Sequence, residues 1–274
     1  MRVTDKPTTS PVQQPTAGTS AGKASAAPTA STVTKAAGDG FARGTADARD
    51  FGRFLQDQGN TNSCGTTSLG MLMSFWKGTP GAYTHDKIDA SIRQFNGPTA
   101  PTNIVSYLLR HDFRAEALNN ASVADLKKYL DQGVPVQVLY DPSADPSDEY
   151  LHYVDVVDYT ADAQGNVKSV KIADPAGGTL DEVSIEDFQK RWANLGLKNV
   201  GVGANNLMIV ALPGQNVQVR GKDGVLRNSA DIALPKNGNN WGWKLRAADV
   251  VADVANFVGK AAKKIGGFFK GLFS

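Results

Sequence analysis

A polar loop, Gln58 to Asn62, gives way at Ser63-Cys64 to the apolar run Gly65-Thr-Thr-Ser-Leu-Gly-Met-Leu-Met-Ser-Phe-Trp76. Within it Leu69, Leu72, Met73 and Trp76 recur at spacings of three and four, which predicts a central core helix over Thr67 to Trp76. That stripe reads as core rather than as a binding site. Cys64, the only cysteine, stands in the first turn. There the unpaired N–H groups and the positive end of the macrodipole favour a thiolate. The same N–H groups, with a nearby carboxamide, stabilise an oxyanion. Gln58 is a candidate for that carboxamide, and Gln56 is a second glutamine in the same loop. The competing reading is a small buried hydrophobe, the usual role of a lone cysteine.

A nucleophilic cysteine needs a base, and the chain has three histidines. His85 and His111 lie in polar settings typical of helix ends. His152 lies in Tyr150-Leu-His-Tyr-Val-Asp-Val-Val-Asp-Tyr-Thr160, a β-branched and aromatic stretch that reads as a strand. The turn-rich Ala161 to Asn166 and the next strand, Val167 to Asp174, predict an antiparallel hairpin. Folding it about position 163 or 164 puts Asp174 opposite His152 or within two positions of it. Opposed side chains are about 5 Å apart at Cβ, close enough for a carboxylate to orient an imidazole. Asp158 shares the face of His152 but lies roughly 20 Å along the strand, and Asp155 faces the other way. Asp174 is thus the expected partner, with Pro175 ending its strand.

The order Gln58, Cys64-Gly65 at a helix start, His152-Tyr-Val in a strand and Asp174-Pro175 closing the next strand resembles the papain-like cysteine peptidases. The nearest branch is similar to the bacteriocin-leader-processing peptidases and their stand-alone bacterial relatives. The resemblance runs from Phe51 to Leu212 and takes in the helix Ser184 to Trp192 and the apolar strand Asn206 to Leu212. It implies Cys64 as nucleophile, His152 as general base and acid, Asp174 as orienting residue and Gln58 as oxyanion donor. The choice of Gln58 over Gln56 rests on family spacing. Leader-processing enzymes are usually fused to a membrane transporter, and nothing in this sequence reads as one, which weakens the carry-over of their substrate, a leader peptide ending in paired glycines.

The helical segments predicted between nucleophile and base are Thr84 to Phe95, Thr102 to Leu109, and Val123 to Asp131 behind Ser122 as N-cap, with Gly133 to Pro135 as the stop. Pro135 to Tyr140 is expected to be the first strand. Helices followed by an antiparallel sheet that carries the base describe an α+β domain with a cleft between its halves. Such a cleft suits an extended peptide or protein substrate. The acidic loop Asp141 to Tyr150 reads as a solvated loop or as a preference for basic substrate residues. Its spacing is too loose for calcium, and three scattered histidines with one cysteine form no metal-ligand pattern. No cofactor is implied. Gly177-Gly178 and Gly201-Val-Gly203 lack a phosphate-loop context and read as turns.

Four segments follow: an extension over 1–50, the peptidase-like domain over 51–212, a hairpin and extension over 213–246, and a helix over 247–274. Of the first forty residues, 28 are Ala, Thr, Ser, Pro or Gly and none is aromatic, so this stretch is expected to be disordered. It lacks the apolar core of a cleaved signal peptide. It reads either as an export segment of a bacterial secretion-system effector or toxin, or as a plain extension of a cytoplasmic protein. A single cysteine makes the fold independent of an oxidising compartment. The net charge of +2 gives no case for nucleic acid as a partner, and none is expected. Asn216 to Arg220 and Val225 to Arg227 suggest a short hairpin, and Trp241-Gly-Trp243 an edge cover. Val250, Val254, Phe257, Ala261, Ile265, Phe268 and Leu272, with four nearby lysines, predict an amphipathic helix over Ala247 to Phe273. A membrane surface, a partner protein and its own domain all stand open as what it contacts.

The chemistry expected is acyl transfer through a thioester at Cys64. Release to water makes a peptidase; release to an amine makes an acyltransferase or transglutaminase. A catalytically silent papain-like binding module with a membrane-binding tail is the remaining reading.

Overall fold

The structure, a computed structural model, describes residues 44–92, 99–143, 151–193, 195–197 and 202–236. Residues 1–43, most of the acidic loop, the Trp241-Gly-Trp243 pair and the predicted helix over 247–274 lie outside them.

The chain opens with β1 (Thr45–Asp47) and a 3-10 segment, Ala48–Phe54. The first helix, α1, is Cys64–Lys77, three residues longer at its start than the apolar stripe alone predicts. Every residue from Gly65 to Trp76 is buried, so α1 is enclosed on all sides rather than along one stripe. Phe51 and Phe54 pack on Phe75 with ring centroids 5.4 and 5.7 Å apart, covering the last turn of the helix with the preceding 3-10 segment. Next come α2 (His85–Ile92), α3 (Pro101–Arg110), β2 (Phe113–Leu118), α4 (Val123–Asp131) and β3 (Val136–Tyr140).

The expectation that Pro135 to Tyr140 is the first strand is corrected by β1 and β2. In β2 only Phe113, Ala115 and Ala117 turn inward, between Arg114 and Glu116. Small alanines and charged residues carry little strand preference of their own. The strand exists because it pairs with a distant one along its whole length.

The hairpin strands are β4 (His152–Ala161) and β5 (Val167–Asp174), followed by β6 (Thr179–Ser184), α5 (Ile185–Trp192), β7 (Leu195–Leu197), β8 (Val202–Ala204), β9 (Met208–Pro213), β10 (Gln218–Arg220) and β11 (Leu226–Asn228). Six strands form an antiparallel sheet in the order β2-β9-β3-β4-β5-β6. The domain is α+β, as the order of elements in the sequence implies. Gly177 and Gly178 do form a turn, both with positive φ. Gly203 does not: it lies in β8, paired with Gly196 of β7.

Gln137 of β3 bonds to Gly65 of α1, whereas Tyr140, three residues on, stacks on Phe188 of α5. Since strand side chains alternate, α1 and α5 cover opposite faces of the sheet. Trp192 anchors α5, donating its ring N–H to the Leu207 carbonyl at 2.9 Å. A second sheet of β1, β10 and β11 includes the predicted hairpin as β10 and β11. Its first strand falls within the segment that composition assigns to the extension, and pairs in parallel with β10.

Candidate active site

Cys64 is the first residue of α1 and is partly buried. Ser63, just ahead of it, does not cap the helix with its side chain. Its hydroxyl donates instead to Asp89 of α2 at 2.7 Å, and Thr66 Oγ1 meets the other Asp89 oxygen at 2.6 Å. The Ser63 carbonyl accepts from the Thr66 and Thr67 hydroxyls at 3.1 and 2.8 Å. Asp89 thus pins the first turn of α1 to α2. No local signal marks it, because the contact depends on how two helices meet.

Gly65 explains the residue type that follows the cysteine. A Cβ built on it would lie 2.9 Å from Thr99 Cβ and 3.0 Å from the Tyr153 ring. The absence of a side chain lets β4 press against the start of α1. Ser68 reinforces the approach by donating to the Tyr153 carbonyl at 3.0 Å, and the Tyr153 hydroxyl reaches the Thr99 carbonyl at 3.2 Å.

His152, the first residue of β4, is 2% exposed. Its Nε2 lies 2.7 Å from Asp174 Oδ1. The same oxygen accepts the Ala176 N–H at 2.7 Å, so the turn after β5 holds the carboxylate in place. Asp155 pairs with Ala173, and that register carried one step further sets Asp174 beside Val154, two residues from His152. A register shift lies farther along, between Val156 and Asp158.

The imidazole and the Cys64 thiol stand close enough for each to shift the other's ionisation. Burial alone would raise the thiol, but His152 and the backbone N–H groups of Tyr153 and Gly65 outweigh it and hold Cys64 below its ordinary value. Burial likewise disfavours the imidazolium, yet the bond to Asp174 and the nearby Cys64 prevail and push His152 up to about 9. The arrangement favours a thiolate beside an imidazolium. Sulfur, ring and carboxylate, distant in sequence, meet where the start of α1 abuts the end of the sheet.

Gln58 is buried in the loop ahead of α1. Its amide nitrogen donates to the Thr61 carbonyl at 2.8 Å, and Thr61 Oγ1 returns a bond to the Gln58 carbonyl at 2.7 Å. Its backbone N–H donates to the Pro175 carbonyl at 2.8 Å, tying the glutamine loop to the turn behind Asp174. Gln56 points elsewhere, its amide nitrogen 2.7 Å from the Tyr83 carbonyl. The other two histidines sit at helix ends: His85 opens α2 beside Asp86, and His111 ends α3 with Nδ1 2.8 Å from the Tyr107 carbonyl. Asp158 is paired with Lys222. Among the described residues no cluster of His, Cys, Asp and Glu could hold a metal, and no helix is long and apolar enough to cross a membrane.

A family model described as the Peptidase_C39 like family matches residues 50–200, more than half of the chain. The chain belongs to this family. The matched span holds Gln58, Cys64, His152 and Asp174, and the C39-like fold is that of a peptidase. Among solved structures, the peptidase domain of Streptococcus ComA, a bifunctional ABC transporter of a quorum-sensing pathway, is 19% identical. That match covers 59% of this chain and 98% of the domain, with a TM-score of 0.44. A double-glycine-motif protease from an AMS/PCAT transporter, solved with its leader peptide, is 15% identical over 62% of this chain and 95% of its own, with a TM-score of 0.42. A C39-like peptidase from Bacillus anthracis is 17% identical over 58% and 93%, with a TM-score of 0.42. No curated protein matches the chain.

Proposed function

We propose that this C39-like chain is a cysteine peptidase that cleaves peptide bonds with Cys64 as nucleophile, His152 as general base and acid, Asp174 as the residue that orients the imidazole, and Gln58 as an oxyanion donor. The observation that carries the reading is the 2.7 Å contact between His152 Nε2 and Asp174 Oδ1, beside a cysteine at the start of α1 whose ionisation the imidazole favours.

The thiolate of Cys64 attacks the carbonyl carbon of an extended peptide. The oxyanion that forms accepts hydrogen bonds from the Gln58 amide and from the backbone N–H of Cys64, which has no acceptor within its own helix at that position. Collapse of the tetrahedral species breaks the C–N bond as His152, protonated, gives its proton to the leaving amine. The acyl group is left on sulfur as a thioester. Water, deprotonated by the now neutral His152, attacks the thioester and releases the acid, and the sulfur leaves as thiolate with the proton on His152. Asp174 favours the charged ring throughout. The Gln58 loop and the Asp174 turn, joined by the Gln58–Pro175 hydrogen bond, hold the oxyanion donor and the orienting carboxylate in one frame.

The test is to profile new protein N-termini in a bacterial lysate treated with the full chain, with Cys64→Ala as control. Cuts made only by the unaltered chain support the reading. Cuts common to both samples, or no cuts in either, contradict it.

A further inference from the structure

Asp155 stands directly opposite Gln137 in the β3–β4 pair, and neither side chain has any exposed surface. Both carboxylate oxygens of Asp155 and the amide oxygen of Gln137 are buried without a hydrogen-bond partner among the described residues. Directly opposed side chains project to the same face with their Cβ atoms about 5 Å apart. Three buried acceptors that no described residue donates to therefore share one face of the sheet, beside the apolar Val154, Val156 and Val157. An unpaired carboxylate at such a depth is prohibitively costly. One proton on Asp155 relieves the conflict, because a carboxylic acid can donate to the amide oxygen across from it.

The other end of Gln137 gives that proton a use. Its amide nitrogen donates to the carbonyl of Gly65 at 3.0 Å. Gly65 adjoins Cys64, its N–H helps to hold the thiol below its ordinary value, and a side chain on it would collide with Thr99 and Tyr153. Burial pushes the Asp155 carboxyl well above the usual range, in the same direction as the geometry requires.

We propose that Asp155 is a neutral carboxylic acid that donates to Gln137 Oε1 and so fixes the amide whose nitrogen holds the Gly65 carbonyl, making Asp155 a positioning residue for the Cys64–Gly65 turn. Its importance to catalysis rests on the reading of Cys64 as the nucleophile; its protonation does not.

Two measurements test it. In an infrared difference spectrum of the unaltered chain against Asp155→Asn at neutral pH, the carbonyl stretch of a protonated carboxylic acid is expected; its absence overturns the proposal even if Cys64 is fully reactive. Alkylation of Cys64 by iodoacetamide is then followed against pH. Asp155→Asn, whose amide still donates to Gln137, is expected to keep the profile of the unaltered chain. Asp155→Val, which cannot donate, is expected to alkylate about two- to tenfold more slowly at neutral pH, the worth of one hydrogen bond. Equal behaviour of the two variants overturns the positioning role. If Asp155→Val does not fold, the infrared band and the Asp155→Asn profile still decide, and either a missing band or an altered profile counts against the proposal. Loss of the His152 dependence of Cys64 alkylation would instead sink the peptidase reading, while the infrared band would still decide the protonation of Asp155.

Discussion

His152 Nε2 and Asp174 Oδ1 are 2.7 Å apart, and the carboxylate is fixed from behind by the Ala176 N–H. In the proposed mechanism an acceptor at this position matters more than its charge, because it holds the ring in one orientation. Asp174→Asn keeps a carbonyl oxygen that can accept from Nε2, and is expected to retain activity within about tenfold, whereas Asp174→Ala is expected to lose about a hundredfold in kcat. In both, the pKa of His152 falls, so the alkaline limb of the activity profile moves down from about 9. Steady-state kinetics of the two variants across pH separate orientation from charge.

The proposed mechanism gives the unaltered chain a defined pH dependence. Cys64 is held below its ordinary value of 9.0, so activity is expected to rise with its ionisation on the acid side of that value. His152 is raised from 6.5 to about 9, so activity is expected to fall as the imidazolium loses its proton there. The same shift stabilises the fold. Because the folded pKa lies above the unfolded one, the contribution of His152 is complete below about 6.5 and disappears as the pH rises through about 9. Thermal unfolding of Cys64→Ala and of His152→Ala across pH 6 to 10 should show this slope in neither variant at the full size seen in the unaltered chain. The slope depends on both partners.

Gly65→Ala places a methyl group 2.9 Å from Thr99 Cβ and 3.0 Å from the Tyr153 ring. Neither is the free end of a flexible side chain, so β4 and α1 must move apart. Overpacking of this kind costs about 1–3 kcal/mol. The same movement draws the Tyr153 N–H away from the sulfur. A lower Tm together with slower alkylation of Cys64 is expected; a lower Tm with unchanged Cys64 reactivity would mean that the close approach serves packing alone.

Asp89 and Ser122 offer a matched comparison. Asp89→Ala removes two hydrogen bonds to a carboxylate at the start of α1, each worth about 1.5–3 kcal/mol. It is expected to lower both Tm and activity. Ser122→Ala breaks the capping box with Asp125 at the start of α4, at a cost of about 1 kcal/mol. Its activity at 25 °C is expected to be unchanged. Chemical denaturation paired with kinetics checks both.

Helix α4 runs from Val123 to Asp131, residue for residue as its sequence predicts, because Ser122, Asp125 and the positive φ of Gly133 write both ends locally. The β4–β5 hairpin is equally legible, since Asp162 organises the turn by accepting the N–H groups of Gln164 and Asn166. From that hairpin alone, Asp174 comes within reach of His152. Strands β2 and β6 are not legible in the same way: Phe113–Leu118 draws its hydrogen bonds from β9, and Thr179–Ser184 is a largely exposed edge strand with little apolar alternation. The grip of Asp89 on α1 and the buried acceptors of Asp155 and Gln137 depend on contacts between remote segments. Parity along β4 rightly separates Asp155 from Asp174, but says nothing about what surrounds it on its own face.

His152 lowers the pKa of the Cys64 thiol, and every step of the proposed chemistry starts from a thiolate–imidazolium pair at these two residues. Alkylation of Cys64 by iodoacetamide, measured against pH in the unaltered chain and in His152→Ala, tests this most directly. A rate plateau reached below the ordinary thiol value is expected in the unaltered chain. In His152→Ala that plateau is expected to vanish, with the rate rising only as a free thiol ionises. Superimposable profiles for the two proteins would contradict the thiolate–imidazolium pair.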